Sequence, residues 1–233
     1  MDMKKIVQLE DVIYFSKIDK PDKLNKFAAA VSVHPDILAK AVEAHGKRSH
    51  DRNIVAIVLA VTSWEWYGAN DNGDSFHADP VPGVLSDADT LTRNYKTFET
   101  RAKVYKFHKS QDEANSVGTV HYAFYNPDQH RVELVIELEF EKAPSECLKL
   151  KRGKALNVSM GAGVRYDVCS YCGHRSYKIE EHCDHIKYQI MDIIDGVPVY
   201  MVNVKPTYFD ISIVVIPGDM NAKVMHSVGG EDE

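Results

Sequence analysis

Residues 156–185 read LNVSMGAGVRYDVCSYCGHRSYKIEEHCDH, and the interpretation of the whole chain starts from this stretch. An apolar segment carries Ser159 and runs into Gly161-Ala162-Gly163. A pair of cysteines, Cys169-x-x-Cys172, follows, and ten residues separate this pair from Cys183-x-His185. A candidate nucleophile is therefore followed directly by a candidate metal site.

The cysteines predict a zinc site. Two thiolates two residues apart, followed by a glycine, can wrap a tight turn around Zn²⁺, and a second soft pair completes the tetrahedron. Cys169, Cys172 and Cys183 are the predicted thiolate ligands. His185 is the predicted fourth ligand, with His182 and His174 as alternatives. A redox pair or a disulfide would use the same spacing, but nothing in the sequence suggests secretion. Four protein ligands leave no position for water, so the predicted zinc is structural.

Composition narrows the classes of protein. The chain has 233 residues, 44% hydrophobic and 27% charged, as expected of a globular protein. Its net charge of −6 argues against a nucleic-acid-binding surface. The longest apolar run, residues 54–61, is too short to span a bilayer, and the first residues lack a signal-peptide core. Three of the four cysteines belong to the candidate metal site, and Cys147 is then a free cysteine. This cysteine usage favours a reducing compartment, the cytoplasm.

Alternating and helical patterns predict a mixture of strands and helices. A strong hairpin signal at Asn126-Pro127-Asp128 joins two alternating segments. In the second of these, Glu133, Glu137 and Glu139 alternate with apolar residues, which predicts a solvent-facing side. The Asn70–Asp74 run predicts a structured turn; a calcium loop fits less well, because its glycine is out of register. The predicted strands are 54–66, 102–108, 117–124, 132–140, 156–165 and 208–216, and the predicted helices include 35–42 and 144–152.

Ser159 alone does not predict catalysis, because Asn157 stands where the G-x-S-x-G motif has its first glycine. Two other residues change this. His108 is predicted at the end of one strand and Asp210 lies in the last one, and serine triads are defined by geometry and not by chain order.

Four motifs resemble those of the prohead (capsid-maturation) proteases of tailed bacteriophages, in order and in spacing. They are Asn70-x-Asn72-Gly73-Asp74-x-Phe76, Phe107-His108-Lys109, Gly118-Thr119-Val120 and Asn157-Val158-Ser159-Met160-Gly161. The cysteine segment is similar to an insertion in one branch of that family. Phe209-Asp210-Ile211-Ser212-Ile213-Val214 resembles the closing strand of its members. The resemblance covers about residues 70–222.

The resemblance implies an α+β fold like that of herpesvirus assemblin: a closed or nearly closed, mostly antiparallel β-barrel surrounded by helices, with a small zinc-knuckle insertion. It implies a barrel domain over 51–222 with the knuckle at 167–186. Apolar residues at helical spacing predict a helical or mixed segment before this domain (1–50), and the polar, glycine-containing end of the sequence predicts a flexible tail after it (223–233).

The implied activity is that of a serine endopeptidase. His108 is the implied general base, Ser159 the nucleophile and Asp210 the residue that orients His108, with Asp184 as the rival for this last role. Backbone N–H groups of residues 160–163, helped by Arg165, are the candidates for the oxyanion hole. The implied substrates are phage scaffold (core) and major capsid proteins, cleaved inside the procapsid in the host bacterial cytoplasm. A homo-oligomer is compatible with this, whereas membrane and direct nucleic-acid partners are not expected.

Three other functions are weighed against this one. The first is a non-catalytic virion or assembly protein that keeps the protease fold and a structural zinc site. The second is a zinc-ribbon nucleic-acid adaptor, which the acidic charge opposes. The third is a thiol hydrolase built on Cys147 and His108. Distances among His108, Ser159 and Asp210 separate the protease from the assembly protein most directly.

Overall fold

The computed structural model describes residues 33–228, without the side chains of Met225, His226 and Val228. Within this range the fold is α+β. The strands are β1 Ile54–Thr62, β2 Asp74–Ser75, β3 Lys103–Lys106, β4 Gly118–Asn126, β5 Arg131–Leu138, β6 Val158–Gly163, β7 Tyr166–Cys169, β8 Arg175–Ser176, β9 Ile193–Ile194, β10 Val197–Pro198, β11 Met201–Val204, β12 Thr207–Ile213 and β13 Lys223–Val228. The helices are α1 Pro35–Gly46, α2 Trp64–Tyr67, α3 Leu91–Asn94, α4 Thr97–Arg101, α5 Pro144–Lys151 and α6 Asp184–Tyr188.

The main sheet has seven strands in the order β13-β1-β5-β4-β3-β12-β6. It curves until its two edge strands meet. A bridge joins Asn157 to Lys223, and the N–H of Val158 donates to the carbonyl of Ala222 over 3.1 Å. The two edge strands contact each other only at the first residues of β6, so the barrel is nearly closed.

The sheet is mixed: it has one parallel pair within a barrel that was expected to be mostly antiparallel. β3 and β12 run parallel, with Asp210 opposite Lys103 and Ile213 opposite Lys106. The other neighbouring pairs in this sheet are antiparallel. The parallel pair has a physical consequence, because it brings the end of β3 beside the end of β12 although about a hundred residues separate them in sequence.

Apolar residues fill the barrel from the inward-facing positions of each strand. Tyr208 and Phe98 are fully buried there and stack with ring centroids 4.3 Å apart. A second apolar layer lies outside the barrel, where Ile37 and Leu38 of α1 pack on Ile57 and Val135. As predicted, the helix begins with a proline in its first turn, where no intrahelical N–H is lost.

This helix overturns one expectation. Glu133 and Glu137 are 0% and 4% exposed, so they do not face solvent. α1 and the turn after it cover this side of β5 and supply polar partners. The carboxylate of Glu133 pairs with Arg131 over 2.9 Å, and that of Glu137 accepts from Asn53 over 2.7 Å. The alternation of glutamates with apolar residues along β5 correctly placed the glutamates on the face opposite the core, but that face is buried and not exposed to solvent.

The predicted flexible tail is also wrong over its first residues. Residues 223–228 form β13, which pairs with β1 and supplies the buried Val224 to the core. Pairing with the edge of β1 fixes this segment despite its mixed polarity. The expectations for residues 1–32 and 229–233 lie outside the described residues.

A smaller four-stranded sheet, β2-β11-β7-β8, lies beside the barrel. It contains the N-terminal part of the predicted knuckle, 167–186, but two of its strands, β2 and β11, come from outside that range. The cysteine region is thus tied to a sheet that draws on three distant parts of the chain.

Candidate functional site

His108 stands just beyond β3 in an unusual backbone conformation. Phe107 and His108 have φ values of 55° and 54°, and neither is glycine. Left-handed backbone costs a side-chain-bearing residue about 1–2 kcal/mol, so the surrounding contacts must hold it. The N–H of Phe107 donates to the Ile213 carbonyl (3.1 Å), and the N–H of His108 donates to Ser212 Oγ (3.1 Å). Both contacts come from β12, so the parallel strand pair fixes His108.

The imidazole of His108 contacts Asp210. Its Nδ1 lies 2.9 Å from Asp210 Oδ2, while Ser212 Oγ donates to Oδ1 of the same carboxylate over 2.7 Å. Asp210 is 1% exposed, whereas the His108 side chain is 44% exposed. The hydrogen bond to Asp210 raises the pKa of His108, and partial burial opposes this only in part. When the Asp210 carboxylate accepts this hydrogen bond, Nδ1 carries the proton and Nε2 keeps a lone pair, on a ring that is partly exposed.

Ser159 lies on the same face of the sheet as this pair. In the antiparallel pairing of β6 with β12, Ser159 is opposite Ser212 and Gly161 is opposite Asp210. Directly opposed residues point to the same side, with Cβ atoms about 4.5–5.5 Å apart. The intervening residues, Met160 and Ile211, pack with the barrel core. The structure therefore brings the predicted residues into one patch. Across residues 33–228, no hydrogen bond joins the Ser159 hydroxyl to His108.

Asp184, the rival orienter, is exposed and begins α6 beside the cysteines. In the described structure, no hydrogen bond or ion pair connects it to His108; the carboxylate that contacts His108 is Asp210.

Cys147 is fully buried in α5, and burial raises the pKa of its thiol to about 11, which disfavours a thiol nucleophile there. The oxyanion hole stays a prediction.

The loop of the first quoted motif lies next to Ser159. The side-chain oxygen of Asn70 accepts from the N–H groups of Asn72 (3.0 Å) and Asp74 (2.9 Å), which holds the tight turn that the sequence predicts. Gly73 has a φ of 79°, a conformation that favours glycine. Ser159 and this loop line a common cavity of about 50 Å³ at the end of the barrel.

Sequence reasoning assigned no role to Ser212. Its hydroxyl is fully buried and connects the backbone of His108 to the carboxylate of Asp210. The available signal was its spacing from Asp210, since residues two apart in a strand share a face. Nothing local in the sequence indicates the contact with His108.

The predicted metal ligands come together beside the small sheet, where Cys169 ends β7. One ligand atom from each of Cys169, Cys172, Cys183 and His185 lies within 4.8 Å of the others. The sulfurs of Cys172 and Cys183 are 3.6 Å apart. A tetrahedral ion with metal–sulfur bonds of about 2.3 Å would place them about 3.8 Å apart. The four residues are thus close enough to bind one metal ion, and their set is compatible with zinc.

The histidines distinguish among the possible fourth ligands. His185 Nδ1 is buried and has no hydrogen-bond partner within the described residues, and a ring nitrogen of this residue lies within 4.8 Å of all three sulfurs. The alternatives are engaged elsewhere: His182 Nε2 lies 3.3 Å from Asp167, and His174 Nε2 lies 2.9 Å from the Glu181 carbonyl. His185 therefore fits the fourth position best.

The thiols differ in their electrostatic environments. Burial raises the pKa of Cys169 to about 11. Burial also raises that of Cys183, but the N–H of Ile186 and the contacts with His185 and Cys172 outweigh it and lower the pKa to about 7. The helix start at α6 thus already favours one thiolate, the form that binds metal.

Comparison with known proteins gave no match to any family model, curated protein or solved structure. None of the helices in the described residues has the length and apolar character needed to cross a membrane.

Proposed function

We propose that this chain is a serine endopeptidase of the prohead-protease type. The observation that carries the proposal is the hydrogen bond between His108 and the buried Asp210, on the face that also bears Ser159. A buried carboxylate that holds one imidazole nitrogen leaves the opposite nitrogen as an acceptor, which is the arrangement that a general base requires.

The chemistry assigns one role to each residue. His108 Nε2 takes the Ser159 hydroxyl proton while Oγ forms a bond to the scissile carbonyl carbon. The amide C–N bond then breaks, and the imidazolium gives its proton to the leaving amine. Water hydrolyses the acyl-enzyme by the same route and restores the serine. Asp210 holds the tautomer and stabilises the imidazolium, and Ser212 positions both partners.

The cysteine cluster has a separate role in this proposal. Cys169, Cys172, Cys183 and His185 would hold a structural Zn²⁺, which supplies a cross-link between β7 and the start of α6. The buried, unpartnered His185 Nδ1 supports this assignment. With four protein ligands the ion has no position for substrate, so the peptidase chemistry belongs to the other site.

The biological substrates follow from the sequence resemblance alone. They are the scaffold and major capsid proteins of a tailed phage, cleaved within the procapsid in the bacterial cytoplasm.

The test compares the wild-type chain with Ser159→Ala, each incubated with the scaffold and major capsid proteins of its own virus and with a library of proteome-derived peptides. Cleavage sites are mapped by mass spectrometry. The variant should lose nearly all cleavage, on the order of 10⁶ in turnover, because the nucleophile is gone. Circular dichroism should show an unchanged fold, since only one hydroxyl is removed. Cleavage that persists in the variant would contradict the proposal.

One observation favours the second candidate, a non-catalytic assembly protein that retains the fold and the metal site. Within the described residues, Ser159 and His108 share no hydrogen bond. If the wild-type chain cuts none of the substrates above, and Ser159→Ala phages still assemble mature heads, the assembly protein becomes the better account.

A further inference from the structure

A second cavity lies away from His108, Ser159 and Asp210. It has a volume of about 340 Å³ and opens between α2, the segment after β2 and the small sheet. This volume is within the range of pockets that hold small ligands or single side chains. Val168 and Val202 form part of its apolar wall.

Aromatic rings form another part of the wall. Trp64 and Tyr200 have ring centroids 5.5 Å apart and are tilted by 33° to each other. Trp64 is held in place by His77, which stacks on it at 4.6 Å. The faces of tryptophan and tyrosine rings attract cations that approach within about 6 Å.

The charge around this cavity is negative. Glu65 and Asp79 line it, and no lysine or arginine is among the described residues that do so. Burial raises the pKa of Glu65, but hydrogen bonds from His77 and from the N–H groups of Ala78 and Asp79 lower it to about 2, so the carboxylate is ionised at neutral pH.

His77 fixes the polar part of the cavity wall. The residue lines the cavity and is 5% exposed, and its Nε2 has no partner within the described structure. Its Nδ1 lies 3.4 Å from the Glu65 carboxylate, which accepts hydrogen bonds and cannot donate them when ionised. In the neutral ring the proton therefore belongs on Nδ1, while Nε2 is closed off from solvent, so His77 acts by holding Glu65 and Trp64 in place.

We propose that this cavity, the Trp64 cleft, binds an alkylammonium group such as the side chain of a lysine. The group would place its charge with the Trp64 and Tyr200 rings on one side and the carboxylates of Glu65 and Asp79 on the other. The inference does not depend on the proposed function, because no residue of the candidate triad lines the cleft.

The chain offers its own reporter. Trp64 and Trp66 are the two tryptophans of the sequence, and Trp66 is 64% exposed and stacks on His130. In a Trp66→Phe background, tryptophan fluorescence therefore comes from Trp64 alone and reports on the cleft. The probes are the tripeptide acetyl-Gly-Lys-Gly-amide, the same peptide with norleucine in place of lysine, and butylammonium chloride.

The lysine peptide should quench or shift the Trp64 emission saturably and bind about tenfold more tightly than the norleucine peptide, because only lysine carries the charge. Asp79→Asn should weaken lysine binding several-fold, and Glu65→Gln more so. The matched control is Asp128→Asn, which removes an exposed charge elsewhere and should leave binding unchanged. Circular dichroism checks each fold; Asp79→Asn serves as the test if Glu65→Gln unfolds.

Butylammonium separates the sources of the ligand. Equal affinity for butylammonium and the lysine peptide supports a free amine, and tighter binding of the peptide supports a polypeptide side chain. Equal binding of the lysine and norleucine peptides overturns the proposal. So does the absence of saturation up to about 10 mM, or equal weakening by Asp79→Asn and Asp128→Asn.

Discussion

Replacing Gly161 by alanine places a methyl group against the carboxylate that holds His108. An ideal Cβ at this position lies 2.9 Å from the Asp210 Cβ and 3.3 Å from Asp210 Oδ2. Carbon atoms in good contact are about 3.5–4.0 Å apart, so Asp210 must retreat by at least about 0.6 Å. Ser212 anchors the other carboxylate oxygen, so this retreat strains or breaks the contact with His108.

Two magnitudes follow. Overpacking of this kind costs about 1–3 kcal/mol in the free energy of unfolding, measured by urea denaturation. A misplacement approaching 1 Å in a catalytic group lowers the rate by up to roughly 10²-fold. A third readout needs no substrate: the pKa of His108, followed by NMR of the ring Cε1–H, should fall toward the ordinary histidine value when its carboxylate moves away.

The same strand provides the control. An alanine Cβ at Gly163 meets no atom within 4 Å, so Gly163→Ala should leave the contact between His108 and Asp210, and with it the pKa of His108, unchanged. It should be neutral or add up to about 1 kcal/mol of stability, through the smaller entropy of the unfolded chain. If both variants leave the His108 pKa at its wild-type value, the argued contact between Gly161 and the Asp210 carboxylate is wrong.

Three further predictions concern pH, metal and burial. Because the His108 pKa is raised and catalysis needs the neutral ring, kcat/KM should increase with pH, with an apparent pKa above the ordinary histidine value of about 6.5. Asp210→Asn should move this apparent pKa to lower pH; an unchanged value would show that another group controls the profile. Zinc chelation should increase hydrogen exchange in residues 166–190 before the barrel unfolds, and Cys172→Ser should reproduce the effect; less than half an equivalent of zinc in fresh protein would contradict the site. Glu133→Ala should cost about 3–5 kcal/mol of unfolding free energy, because it breaks a buried ion pair with Arg131 and also removes the acceptor for Asn126 and for the His34 N–H. The less buried Glu139→Ala should stay within about 1 kcal/mol; equal losses would refute the burial argument.

Local patterns predicted the elements well where one short segment contained the whole signal. The hairpin between β4 and β5 follows from a turn sequence between two alternating runs, and α1 and α5 each begin at a proline, as expected for a first turn. The cluster of candidate metal ligands was predicted for the same reason, because its members come as two local pairs, Cys169-x-x-Cys172 and Cys183-x-His185.

Contacts between distant segments could not be predicted from such local patterns. The alternation in β5 shows which residues share a face, but not that α1 covers the face bearing Glu133 and Glu137. β13 has no strong pattern of its own and is fixed by the edge of β1. His108 and Asp210 are 102 positions apart and meet because β3 and β12 pair in parallel, so only the resemblance to a known family joined them beforehand.

The central claim is that His108 activates Ser159, and covalent labelling tests it most directly. A fluorophosphonate reacts with an activated serine: Oγ bonds to phosphorus, fluoride leaves, and the base takes the hydroxyl proton. Peptide mapping of the labelled wild-type chain should find one modified residue, Ser159. His108→Ala should abolish the label, while Asp128→Asn, a change at an exposed residue between β4 and β5, should keep it. Labelling of a different serine, or equal labelling of Ser159 with and without His108, would contradict the claim.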